Sequence, residues 1–140
     1  MTLVVDASVA SKWFLPAEAH TDRALAIVRS ATPLIAPDIL VAEVCNVAWR
    51  AARLGRIPQA QLSDIAKLVP GFFDSLVGAA ALASRAVEIA GELDHPVYDC
   101  LYVALAETRE LSLVTADMRL LGRLRGSRWA ECALDLAGYG

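Results

Sequence analysis

The fold class predicted for this chain is a three-layer α/β/α sandwich around a mainly parallel sheet of four or five strands. Three observations predict it. Short runs rich in β-branched and apolar residues, Leu3-Val4-Val5, Leu34-Ile35-Ala36 and Leu111-Ser112-Leu113-Val114-Thr115, alternate with segments of helical pattern. Strands separated by helices need crossover connections, and crossovers produce parallel pairing with helices on both faces. Finally, no repeat, low-complexity tract or polar linker interrupts the 140 residues, so residues 1–140 read as a single domain.

Composition narrows the class further. Hydrophobic residues make up 56% and charged residues 21%, too apolar a balance for a disordered chain. The longest stretch free of charge, Ser75 to Ser84, is too short to span a bilayer, and Met1-Thr2-Leu3-Val4-Val5-Asp6 lacks the basic start of a secretory signal. No membrane association and a cytoplasmic location are therefore expected. Cys45, Cys100 and Cys132 are odd in number, widely spaced and set among apolar neighbours, as reduced core thiols are. His20 and His95 form no zinc-type spacing with them. The net charge of −3 argues against coating nucleic acid by bulk positive charge. Two arginine stretches, Arg50/Arg53/Arg56 and Arg119/Arg123/Arg125/Arg128, could still grip phosphate, or could simply be solvated helix faces.

The elements follow in order. Leu3-Val4-Val5 is a strand leading through Asp6-Ala7-Ser8 into a short helix from Val9 to Leu15, stopped by Pro16. Thr21 to Ser30 is helical with Leu25, Ile27 and Val28 inward, and Leu34 to Ala36 is a strand ended by Pro37. Asp38 is placed to N-cap a helix that runs to Leu54 and stops at Gly55, and Pro58 opens another through Val69. Phe72 to Val77 reads as a strand weakened by Asp74, and Ala79 to Leu93 as an alanine-rich helix. Helix resumes after Asp94-His95-Pro96 and continues to Arg109. Leu111 to Thr115 is a strand, Asp117 opens a helix from Met118 to Leu124, and Trp129 to Leu136 holds a last strand.

In open parallel sheets ligands gather beyond the carboxyl ends of the strands. Two strand exits carry an aspartate there, Asp6 and Asp117. Each alone is explained as an N-cap. Glu43 lies in Ile39-Leu40-Val41-Ala42-Glu43-Val44-Cys45-Asn46-Val47, an apolar helix expected to be largely buried, where a charge needs a partner or an ion. Asn46 and Arg50 follow it at i+3 and i+7, so a solvated polar stripe is the alternative. Asp99 has only Tyr102, Val103 and Ala106 on its own face, and no polar stripe carries it into water. Four converging carboxylates repel one another unless a cation neutralises them. All-oxygen ligation points to Mg²⁺, with Mn²⁺ able to substitute, and to phosphodiester hydrolysis by metal-activated water.

The same residues resemble the PIN-domain ribonucleases, and within them the VapC toxins of bacterial toxin–antitoxin pairs. Val4-Val5-Asp6-Ala7-Ser8 with Lys12-Trp13-Phe14-Leu15-Pro16 is similar to the first family motif, and Ala36-Pro37-Asp38 leading to Glu43 and Asn46 to the second. Tyr98-Asp99-Cys100-Leu101-Tyr102 is similar to the third and Val114-Thr115-Ala116-Asp117 to the fourth, with Cys100 where alanine is common and no motif beyond Gly126. The resemblance implies that Asp6, Glu43, Asp99 and Asp117 hold the metal. Ser8, Asn46 and Thr115 are expected to support them as second-layer or water-binding partners. It also implies endonucleolytic action on RNA, inhibition of translation, a homodimer, and neutralisation by a VapB-like antitoxin. Two other readings compete. A phosphotransferase using the strand-end aspartate as nucleophile needs a second aspartate two residues on, where Ser8 stands. A non-catalytic PIN-like module would keep the fold and bind a protein or RNA, and the intact acidic quartet counts against it.

Overall fold

The structure, a computed structural model, describes residues 1–140. Five strands, β1 (Leu3–Val5), β2 (Leu34–Pro37), β3 (Ser75–Val77), β4 (Ser112–Thr115) and β5 (Ala133–Asp135), form one sheet. Its order is β3-β2-β1-β4-β5 and every pair is parallel. The helices are α1 (Ala7–Ala10), α2 (Thr21–Arg29), α3 (Ile39–Arg53), α4 (Leu62–Leu68), α5 (Ala79–Leu93), α6 (Val97–Arg109) and α7 (Met118–Arg125). The expected α/β/α class and parallel sheet are therefore observed. The central strand β1 is buried along its whole length, as an apolar run covered on both faces must be.

Thirty-five buried residues form one continuous core. The longest contribution comes from α6, where Cys100 through Ala106 are all buried, so this helix is apolar all round rather than amphipathic. By contrast α3 is amphipathic. Only Leu40, Val44, Ala48 and Ala51 are buried, and Asn46, Trp49 and Arg50 are exposed. The expectation of a largely buried α3 is thus corrected: the helical spacing of those four residues defines one inward face, and small or apolar residues also populate the outer one.

Other boundaries shift for local reasons. The first helix starts at Ala7, because Asp6 caps it, and tightens into a 3₁₀ turn at Ser11–Trp13 before Pro16. Asp38 does not cap α3 through its side chain; its Oδ1 accepts from Ala79 N at 3.0 Å, tying the start of α5 to the end of β2. Pro37 lies within β2 rather than ending it. In α2 the inward positions are Thr21, Ala24 and Ile27, with Leu25 and Val28 only half-buried. The region read as a strand from Phe72 contributes only Ser75–Val77, since Val69–Phe72 forms a 3₁₀ turn. The C-terminal segment is tied to the α5–α6 pair through Glu107, which accepts from Arg85 Nε and Trp129 Nε1, both at 2.6 Å. Arg128 stacks over Trp129 at 4.6 Å.

Candidate functional site: an acidic cleft at the carboxyl edge of the sheet

Because β1 and β4 are parallel neighbours, the residues leaving them emerge side by side at one edge. Asp6 leaves β1 and Asp117 leaves β4. Helix α3, which follows β2, brings Glu43 to that edge, and the first turn of α6 brings Asp99. All four carboxylates line one cleft of about 450 Å³, together with Ser8 and Tyr102. Asn46 and Arg50 share it, exposed along the same stripe of α3. The polar-stripe alternative for Glu43 is therefore half right: the stripe exists, and it faces the cleft.

Asp6 is the most constrained. It is 5% exposed and makes two hydroxyl contacts, from Ser8 Oγ to Oδ1 at 2.6 Å and from Thr115 Oγ1 to Oδ2. Val9 N also donates to Oδ1 at 3.3 Å, the N-cap bond. Ser8 Oγ accepts from Ala116 N at 2.9 Å, and Thr115 Oγ1 accepts from Asp117 N at 3.0 Å, which joins the ends of β1 and β4 through side chains. Burial pushes the Asp6 carboxyl up to about 7; the charge of Asp99 adds to this, while Ser8, Thr115 and Val9 oppose it.

Glu43 is half-buried and accepts a hydrogen bond from the Tyr102 hydroxyl at 2.5 Å. Burial raises its proton affinity above the ordinary range, the Tyr102 bond lowers it, and Asp99 adds to the rise. The Tyr102 phenol is held well above its usual range by burial and by Glu43, Asp6 and Asp99, so it stays protonated and keeps its proton for donation to Glu43. Asp99 is half-buried and contacts His95 Nε2 through Oδ2 at 2.6 Å. Asp117 is the N-cap of α7, its Oδ1 accepting from Arg119 N and Leu120 N at 2.9 and 3.2 Å. Its capping explanation therefore holds, and it lines the cleft as well.

Of the expected supporting residues, Ser8 and Thr115 contact Asp6 directly, whereas Asn46 stands on the exposed rim. Sequence reasoning missed Tyr102 and His95. In the sequence Tyr102 is only one of the residues on the Asp99 face, and its relation to Glu43 is purely tertiary. For His95 the signal was present as an i,i+4 relation to Asp99. Lys12 meets a carboxylate, Glu18 at 3.2 Å, and Arg56 approaches the same Glu18 at 3.9 Å. The second arginine stretch is occupied differently, Arg128 by Glu92 and Arg125 by Asp135. Two thiols are held protonated: burial, with Asp99 beside it, pushes Cys100 up to about 11, and burial with the charge of Glu107 raises Cys132. All three cysteines are free.

No Lys or Arg forms an ion pair with Asp6, Glu43, Asp99 or Asp117, whereas Glu18, which also lines the cleft, is paired with Lys12 and Arg56. A buried carboxylate without a cationic partner, in a set composed only of oxygen donors, suits a hard divalent cation. No three of the chain's His, Cys, Asp and Glu side chains stand together as a ready-made metal cage. The carboxylates thus share a cleft without forming a closed shell, an arrangement that fits an ion keeping several waters.

A dependence on Tyr102 follows. Tyr102→Phe removes the donor to Glu43 with little change in volume and is expected to lower folding stability by about 1–2 kcal/mol. Urea unfolding of the two proteins checks this, and equal midpoints would contradict it.

The fold and this cleft define an α/β protein with carboxylates and hydroxyls converging at the carboxyl edge of a parallel sheet. The PIN-domain family profile matches residues 3–125. Ribonuclease VapC3 of Pyrobaculum aerophilum is 34% identical over 122 residues, covering 86% of this chain and 92% of the relative. Exonuclease VapC9 of the same organism is 33% identical over 96 residues, covering 69% and 71%. The crystal structure of PAE2754 from Pyrobaculum aerophilum superposes with a TM-score of 0.70 at 28% identity, covering 97% of this chain and 84% of that one. The chain belongs to the PIN-domain family and groups with its VapC-type members. The profile stops before β5, in keeping with the absence of a recognisable motif beyond Gly126.

Proposed function

We propose that this chain is a divalent-metal-dependent endoribonuclease of the VapC type, acting as the toxin of a toxin–antitoxin pair and inhibiting translation by cutting RNA. The observation that carries the reading is Asp6: a buried carboxylate with no Lys or Arg partner, its proton affinity raised to about 7, sharing a cleft with Glu43, Asp99 and Asp117. The names of the two relatives support a nuclease.

Asp6, Glu43, Asp99 and Asp117 are assigned to hold Mg²⁺ or Mn²⁺. A divalent cation bound there would supply Lewis acidity, making water a nucleophile at neutral pH and offsetting charge on the phosphate oxygens. Ser8 and Thr115 orient Asp6 by donating to its two oxygens, and Tyr102 orients Glu43 in the same way. Asn46, on the rim, is assigned to water or substrate. Arg50 and Arg56 line the cleft and suit phosphate positioning without reading sequence.

The partner side of the reading rests on apolar surface. Trp49, Leu54, Leu68, Phe72 and Met118 are exposed large side chains. A VapB-like antitoxin and a second copy of the chain are the assigned occupants. No helix is long and apolar enough to cross a membrane. The location assigned is the cytoplasm, and the whole of residues 1–140, with one continuous core, is assigned to a single PIN domain.

The test is incubation of a mixed cellular RNA pool, and of a covalently closed circular RNA, with the partner-free protein in Mg²⁺, Mn²⁺ or EDTA. Discrete products in metal, none in EDTA, and opening of the circle are expected. Cleavage confined to RNA with free ends would make the chain an exonuclease, as the name of the second relative has it. No cleavage of any RNA by folded, Mn²⁺-supplied protein would favour the non-catalytic binding module.

A further inference from the structure

We propose that His95 is a positioning residue: it fixes the carboxylate of Asp99 by donating from Nε2, and so sets the affinity of the cleft for a divalent cation. The inference rests on the metal-site reading above and adds a residue that lies outside the cleft. The His95 side chain is 2% exposed and sits behind Asp99, with Nε2 2.6 Å from Oδ2. It does not line the cavity, so it can act there only through its neighbour.

Two features show that the ring is held for this contact. The His95 backbone is pinned at both sides, its N–H donating to Ala90 O at 3.2 Å and its carbonyl accepting from Cys100 Sγ at 3.8 Å. Asp94, just before it, occupies the left-handed region with φ 51°, which turns the chain sharply between α5 and α6 and delivers His95 beside the first turn of α6. The second feature is Nδ1, which is buried and has no hydrogen-bond partner. A proton there would be an unpaired buried donor, and it would turn the bare lone pair of a neutral Nε2 onto a carboxylate oxygen. The proton therefore belongs on Nε2, where it donates to Asp99. One oxygen of Asp99 is thereby engaged from behind, and the carboxylate is restrained in the direction of the cleft. Partners of this kind, which orient a metal-binding side chain, weaken metal affinity by roughly 10–100-fold when lost.

The experiment is calorimetric titration of Mn²⁺ into the full chain, for wild type, His95→Leu and His95→Gln. Leucine fills much of the volume without a donor, and the glutamine amide nitrogen reaches about as far as Nε2. Saturable Mn²⁺ binding by wild type, weakened roughly 10–100-fold in His95→Leu and restored to within about threefold in His95→Gln, is the expected result. A role in packing alone would lower the melting temperature of His95→Leu and leave its Mn²⁺ affinity at the wild-type value, which overturns the proposal. Glutamine as weak as leucine also overturns it, since the donor would then not be what matters. Absence of Mn²⁺ binding by wild type would overturn the metal-site reading, and the role of His95 with it. Should neither variant fold, the ring nitrogens of wild-type His95 can be read by long-range proton–nitrogen NMR. A proton on Nε2 and a bare Nδ1 are expected, and the opposite tautomer overturns the proposal.

Discussion

Asp6→Asn is expected to lose RNA cleavage by at least ~10³-fold, the order of loss seen when a group that stabilises the transition state is removed, while the fold stays intact. The substitution is nearly isosteric, and an amide can accept from one of the Ser8 and Thr115 hydroxyls and donate to the other, so the link between the ends of β1 and β4 survives. What it lacks is the negative charge. The same variant tests the electrostatics without RNA. In the metal-free wild type the Asp6 carboxyl is raised from 3.8 to about 7, so the folded state binds the proton more tightly than the unfolded one. Stability contributed by that protonated form is full below about pH 4 and is lost as pH rises to about 7, a decline on the order of 4 kcal/mol. Asp6→Asn should lack this part of the decline, and without metal at pH 8 it should melt no lower than wild type. Thermal unfolding of both proteins from pH 4 to 8 in EDTA reads this directly. A steeper fall in the variant, or wild-type cleavage by it, contradicts the assignment.

Leu120→Ala is expected to cost about 2–5 kcal/mol, the largest loss of stability considered. Leu120 is completely buried in the first turn of α7, and its backbone N–H donates to the Asp117 carboxylate at 3.2 Å. The core and the cleft therefore meet at one residue, and a cavity beneath α7 loosens the helix start on which Asp117 is mounted. Urea unfolding gives the stability change, and the Mn²⁺ affinity of the folded variant reports the effect on Asp117. A midpoint within error of wild type would mean that α7 is not anchored by this side chain.

Both effects depend on features of unequal legibility. The sheet was readable because β1 and β4 are short apolar runs ending in aspartates, and parallel pairing then required Asp6 and Asp117 to share an edge. The presence of Glu43 and Asp99 in the cleft followed from the difficulty of burying either charge alone. Less was visible where one residue has two roles. Asp38 looked like the cap of its own helix and instead caps the start of α5, a contact across 41 positions that no local pattern encodes. Helix α3 looked buried because Ala42, Cys45, Val47 and Trp49 are apolar, yet its inward face is set by packing against the core and leaves Trp49 outside. Tyr102 was hidden because a phenol inside an apolar run reads as core until its hydroxyl is seen to reach Glu43. His95 was hidden by Pro96, which begins a new helix and disguises an i,i+4 contact that bridges the helix start.

Thermal unfolding of wild type and Asp6→Asn across a Mn²⁺ series tests whether Asp6, Glu43, Asp99 and Asp117, none of them paired with Lys or Arg, hold a divalent cation. Wild type is expected to melt progressively higher as Mn²⁺ rises, gaining about 2.7 kcal/mol at a hundredfold excess over the dissociation constant, with the gain reversed by EDTA and largely missing in Asp6→Asn. A wild-type melting temperature unchanged through millimolar Mn²⁺, or an equal rise in both proteins, would contradict it.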